Sequence, residues 1–127
     1  MSRAARQAAR GRGRRGEWLA ALWLRLKGFR ILARGLRTPA GEVDLIARRG
    51  RLLIVVEVKA RGNLADALAA ITARQRARIS RAAEIFLQRN PALADCDLRF
   101  DAVLIVPGQA PRHVIDAWRG GDRAVNT

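Results

Sequence analysis

Glu57 and Lys59 stand two residues apart at the end of Leu52–Lys59, a run otherwise made only of leucine, isoleucine and valine. A charge buried unpaired in such surroundings is expensive, so a glutamate and a lysine there need a partner or a task. Upstream, Glu42 and Asp44 share one face of a second extended segment, Glu42–Ala47, whose other face carries Val43, Leu45 and Ala47. A hairpin turning on Arg49-Gly50 would set Glu42 opposite Glu57 and Asp44 opposite Val55. Asp44 would then lie diagonally from Glu57, with Cβ atoms ~7 Å apart. Carboxylates at that separation can share one cation. A donor set of Asp and Glu oxygens without His or Cys selects a hard divalent ion, Mg²⁺ or Mn²⁺, and such an ion would also relieve the repulsion between Glu42 and Glu57. Lys59 would sit beside it, placed to position an attacking water or to steady charge developing on a phosphate. The simpler alternative is an ordinary same-face charge pair on an edge strand with Asp44 in solvent. The apolar flanks of Glu57 weigh against that alternative.

The elements that must hold these residues can be read from periodicity. From Glu17 the pattern is helical, with Leu19, Leu22, Trp23 and Leu26 as its apolar face and Gly28 where a left-handed C-terminal cap belongs. Trp18 and Trp23 read as core rather than as base-stacking platforms. Phe29–Ala33 reads as a strand, Thr38-Pro39-Ala40-Gly41 as a tight turn, and the two segments above as the next two strands. Leu64–Ile71 is alanine-rich and reads as a loop with some helical character. Thr72 and Gln75 have capping-box spacing, opening a long helix that Pro91 stops. On that helix Ile79, Ala82, Ala83 and Phe86 form the packing stripe, and Arg74, Arg78 and Arg81 gather on a neighbouring one. Leu98–Val106 and Val114–Trp118 read as two last strands.

The chain has 127 residues, one domain's worth, with 25 Lys+Arg against 11 Asp+Glu and a formal net charge of +14. Only Lys27 and Lys59 are lysines, and an arginine surface suits bidentate contact with phosphate. Nucleic acid is the partner this charge favours, ahead of an anionic membrane surface. Residues 1–16 hold six arginines and no acid and read as a flexible basic arm, with Arg12, Arg14 and Arg15 as candidate phosphate contacts. Without those six charges residues 17–127 still carry +8, so the domain itself is basic. Residues 121–127 read as a disordered tail. The single histidine, His113, excludes a two-histidine centre and makes a Ser-His hydrolase built on mid-helix Ser80 remote. The lone Cys96 allows no internal disulfide or cysteine-rich zinc site, which fits a reducing cytoplasm. No apolar run approaches the ~20 residues of a membrane span.

Gly41-Glu-Val-Asp44-Leu-Ile, then Val56-Glu57-Val-Lys59, then Arg99-Phe-Asp101 together resemble the bacterial YraN-like family of predicted endonucleases, which is similar to the PD-(D/E)XK nucleases and to archaeal Holliday-junction resolvases. The likeness extends from about Glu17 to Trp118. It implies an α/β domain of the restriction-endonuclease-like class, with a central mixed β-sheet flanked by helices, over residues 17–120. It implies Mg²⁺-dependent (or Mn²⁺-dependent) hydrolysis of DNA, branched DNA included. Asp44 and Glu57 would be the metal ligands, the backbone carbonyl of Val58 a third, and Lys59 the residue assisting the water. Glu17 corresponds to the outer carboxylate that resolvase-like members hold near the metal, although an acid in a first helical turn is favoured by the helix dipole as well. Gln75 stands where the family often carries lysine, a departure from its pattern. Asp101 matches the family's third motif, but Arg99 or a backbone group is as ready a partner for it as catalysis. Coordinated cutting of a four-way junction would call for a homodimer, and no apolar stripe in the sequence is clearly spare for one. The competing function is non-catalytic binding of DNA or RNA on the same fold.

Overall fold

Alanine and arginine, both strong helix formers, fill the chain upstream of Glu17. The first helix, α1, accordingly begins before the expected start and spans Arg3–Leu26, despite the glycines at 11, 13 and 16. The segment expected to form a flexible arm is, from Arg3 onward, backbone of this helix. The computed structural model describes residues 3–120, with side chains from Arg15 onward, so the expected tail at 121–127 lies outside the described residues. Gly28 ends α1 as anticipated. Its φ of 92° lets the Gly28 and Phe29 amides reach back to the Arg25 and Leu24 carbonyls, each at 3.0 Å.

Five strands follow: β1 (Arg30–Thr38), β2 (Gly41–Arg49), β3 (Leu52–Ala60), β4 (Asp97–Ile105) and β5 (Arg112–Trp118). They lie side by side in chain order, antiparallel except for the parallel pair β3·β4. The crossover between those two carries α2 (Leu64–Ala69), a short helix where a loop was expected, and α3 (Ala73–Arg89). Asn63 caps α2 by accepting from the Asp66 amide, which is why an alanine-rich stretch can hold even this brief helix. The α3 cap falls where its spacing put it, with the Thr72 side chain accepting from the Gln75 amide at 3.2 Å.

The sheet is covered on both faces. Leu45, Ala47, Ile54, Val56 and Val103 pack under Ala20, Ala21 and Leu24 of α1, while Val43, Ile46, Leu53, Val55 and Leu104 pack under Ile79, Ala82 and Ala83 of α3. The small residues on α1 let that helix approach the sheet closely. Consequently the large residues read as its core face turn outward: Leu22 is 38 %, Trp18 54 % and Leu26 75 % exposed. An apolar stripe is thus spare on α1 after all. The third tryptophan, Trp118, is buried and stacks on Phe100 at 5.5 Å between ring centres. No described helix is long and apolar enough to cross a membrane.

Two sequence expectations are corrected in β2. The turn into β3 is Gly50-Arg51, with Arg49 paired to Leu52, because a two-residue hairpin needs a positive φ at its first central position and Gly50, at 60°, supplies it. Residues across the hairpin therefore shift by one position on each strand, and Leu45 pairs with Val56. Val43 also packs on the α3 face, with Ile46, and not with Leu45 and Ala47, so the strict alternation fails between Val43 and Leu45.

Candidate active site

The paired ladder of β2 and β3 stops at Leu45·Val56. At the next residue the Asp44 side chain takes over the bridge: its Oδ2 accepts from the Val58 amide at 2.8 Å. A carboxylate thus stands where the ladder ends, and it leaves Oδ1 for neighbouring acids or a cation. Continuing the observed register sets Asp44 opposite Glu57, closer than the diagonal relation expected. Glu57 is buried, 8 % exposed, and Lys59 Nζ lies 3.8 Å from its Oε1. From α1, half-buried Glu17 brings a third carboxyl to Asp44. Glu17 is mid-helix because α1 begins upstream, so the helix-dipole explanation for an acid at this position no longer applies. Glu42 is exposed and lines the same cleft of about 270 Å³ with Gly41, Asp44, Glu57, Gln75 and Arg78.

Crowding of acids leaves an electrostatic mark. Burial, followed by the neighbouring Asp44, pushes the Glu57 carboxyl up to about 9, and the same two causes push Glu17 to about 7. Among the described residues no group of three or more Asp, Glu, His or Cys side chains is arranged so as to hold a metal ion. Asp44 and Glu57, with a backbone oxygen and waters, make the kind of oxygen donor set that Mg²⁺ takes, and a divalent charge there would favour the ionised form of both acids. The residues present fit such an ion.

Gln75 supplies a contact that the sequence did not reveal. With its amide nitrogen donating to the Ala70 carbonyl at 2.9 Å, its oxygen accepts from Lys59 Nζ at 3.2 Å. That orientation gives up a longer bond, 3.4 Å, from the Thr72 amide, and it satisfies both ends of the side chain. A capping role already accounted for a glutamine at this position, so nothing in the spacing pointed toward Lys59. Of the arginines expected to meet phosphate, Arg78 lines the cleft, while Arg74 and Arg81 are exposed on α3 and Arg15 on α1. The Arg12 and Arg14 side chains lie outside the described part.

Asp101 does not join this cluster. It is fully buried, accepts from Arg99 through two bonds of 2.8 Å, and accepts from the Asp116 amide at 3.0 Å and from His113 Nε2 at 2.7 Å. The tautomer follows from the partners: Lys27 Nζ, which can only donate, meets His113 Nδ1 at 2.9 Å, so the ring proton sits on Nε2. Burial alone would raise the Asp101 carboxyl, but the bonds from His113, Arg99 and Asp116 outweigh it and hold Asp101 at about 2. The role is structural, joining α1's end to β4 and β5.

Replacing the ionisable group of Glu57 provides a direct check on the crowding. A carboxyl near 9 when folded and near 4.5 when unfolded keeps its proton only in the folded state, so the metal-free protein loses stability as pH rises between those values. Glu57→Gln should therefore stabilise the metal-free protein at neutral pH by on the order of 1–3 kcal/mol. It should also flatten the fall in thermal midpoint toward alkaline pH. A destabilised variant with an unchanged pH slope would contradict the geometry described.

A five-stranded mixed sheet between helices, with acids and a lysine gathered where β2 and β3 part, is the layout of the restriction-endonuclease-like α/β class. Residues 16–105 match the uncharacterised protein family UPF0102. Similar proteins include UPF0102 proteins of Paramagnetospirillum magneticum, 57 % identical over 91 % of this chain and 92 % of that one, and of Parvibaculum lavamentivorans, 61 % identical over 84 % and 80 %. A UPF0102 protein of Maricaulis maris is 52 % identical over 98 % of this chain and 97 % of its own. The chain belongs to the UPF0102 family, in agreement with the YraN-like resemblance of its motifs.

Proposed function

We propose that this protein is an endonuclease that hydrolyses phosphodiester bonds in DNA with Mg²⁺ or Mn²⁺. The observation that carries the reading is the convergence of Asp44 and Glu57 on one cleft whose wall includes Arg78, with the Lys59 ammonium 3.8 Å from the Glu57 carboxyl. When bound, the ion supplies Lewis-acid stabilisation of the phosphoryl oxygens and lowers the pKa of a water. Asp44 and Glu57 hold it, with the Val58 carbonyl as the backbone ligand and Glu17 as an outer carboxylate. The Val58 amide fixes the Asp44 rotamer, so one ligand is oriented before any ion arrives. Lys59 orients the attacking water or meets developing charge, and Gln75 restrains its ammonium from the α3 side. Arg74, Arg78 and Arg81 grip the DNA backbone without reading bases.

The test is a divalent-ion titration of the purified protein, paired with cleavage assays on linear, nicked, flapped and branched DNA. A rise in thermal midpoint with Mg²⁺ or Mn²⁺, together with ion-dependent cleavage of at least one substrate, is expected. A folded sample that shows neither response would leave the competing function, nucleic-acid binding without catalysis.

A further inference from the structure

The arginine strip on α3 does not end at Arg81. At 100° per residue, positions 74, 78, 81, 85 and 89 follow one line along the helix, and all but Ile85 are arginine. Arg78 lines the cleft that holds Asp44 and Glu57, and Arg89 lines a second, larger groove of about 550 Å³. Eleven residues separate them, or about 16 Å of helix, which is about five base steps along a duplex strand at ~3.4 Å each.

The second groove differs in character from the first. Arg30 from β1, Arg48 from β2 and Arg89 stand around it, with Leu32, Phe86 and Leu93 between them, and no acidic side chain lines it. Arg48 spends its Nε–H on the Gly50 carbonyl at 2.8 Å, which leaves its terminal nitrogens available as donors. At the helix end, the Asn90 side chain donates to the Phe86 carbonyl at 2.8 Å, answering part of the negative charge that a helix C-terminus presents. Guanidinium groups around an apolar floor match an unstacked nucleotide, whose phosphate is anionic and whose base has an apolar face. A regular duplex keeps its bases stacked inside and would offer this groove only its backbone.

We propose that the groove among Arg30, Arg48, Phe86 and Arg89 binds an unpaired nucleotide of the substrate strand, about five base steps from the Asp44–Glu57 cleft. The preferred DNA then carries a single-stranded segment beside the duplex that crosses α3. This deepens the function proposed above, resting on its nucleic-acid partner and not on hydrolysis.

Binding measured in EDTA separates the two, because no cleavage is needed. Full-length protein is titrated with a blunt duplex and with the same duplex bearing a short single-stranded overhang. Wild type should bind the overhang substrate more tightly, and Arg30→Gln/Arg89→Gln should lose roughly tenfold on that substrate while changing little on the blunt duplex. This pair leaves the Arg48 bond to Gly50 in place, and Arg30 and Arg89 are exposed, so folding should persist. Arg74→Gln/Arg81→Gln, the comparison variant, should weaken both substrates alike. Equal affinity of wild type for the two DNAs, or an equal loss on both in the Arg30/Arg89 variant, would overturn the proposal whether or not the protein cleaves.

Discussion

Asp44→Asn is expected to lower ion-dependent DNA cleavage by roughly 10³-fold or more while leaving DNA binding intact or slightly tighter. The asparagine can still accept from the Val58 amide through its own side-chain oxygen, so the end of the β2·β3 ladder should hold. What disappears is the charge that an ion needs beside Glu57. Relieved of Asp44, Glu57 should titrate closer to an ordinary glutamate, since Asp44 follows burial among the causes that raise it. Lys59→Ala should act differently. Both acids remain, so ion affinity survives or improves, yet cleavage falls roughly 10²–10⁴-fold because the water or the developing charge loses its partner. Calorimetry with Mn²⁺, run beside cleavage assays on both variants, distinguishes them. If ion binding and cleavage fall together in Lys59→Ala, the lysine organises the ligands and has no separate chemical role.

Asp101→Asn should produce the largest loss of stability of any single polar substitution in the domain, about 3–5 kcal/mol by urea or thermal denaturation. Asp101 is fully buried, and its charge is what balances Arg99, whose side chain is partly exposed. The neutral asparagine leaves that guanidinium only partly compensated, and it presents an amide nitrogen to donors that cannot accept. The pH dependence has a definite sign. Folded Asp101 titrates at about 2 against an ordinary 3.8, so its contribution is fully present above the unfolded value and is lost as pH falls through the folded one. That contribution is about 2 kcal/mol by linkage, and it should vanish from the acid limb of the Asp101→Asn stability curve. An acid limb identical to wild type would show that the bonds to Asp101 do not persist in solution.

Much of the fold was legible because local signals agreed with one another. Gly28 after an apolar helix, Thr72 three residues before Gln75, and Pro91 beyond the long helix each marked a boundary that the backbone respects. Alternation along β3 puts Ile54 and Val56 under α1 and Leu53 and Val55 under α3. Misreadings arose where tertiary packing overrode size or local count. Leu22 and Leu26 are larger than Ala20 and Ala21, yet the sheet accepts the alanines because closeness of approach outweighs the area of any one side chain. The β2·β3 register moved because one glycine could occupy the first central turn position and Arg49 could not do so without strain. The acids of the candidate site were visible as charges in an apolar run. Gln75 was not, since its contact with Lys59 joins elements separated by a crossover that no periodicity reports.

The sheet has two open margins, β1 and β5, whose outer amides and carbonyls could template pairing with another chain. On β5 the backbone itself interferes: the register slips between Phe100 and Ala102, and Asp116 adopts a φ of 54°. On β1 the deterrent is mostly charge, because Arg30, Arg34 and Arg37 are exposed along the strand and would face their own kind in a second copy. Such a deterrent weakens once the screening length drops below the spacing of the charges, toward ~3 Å at molar salt. If nucleic acid is held as proposed, ionic conditions strong enough to release it also disarm the guard on β1, and self-association should set in over the same range of salt.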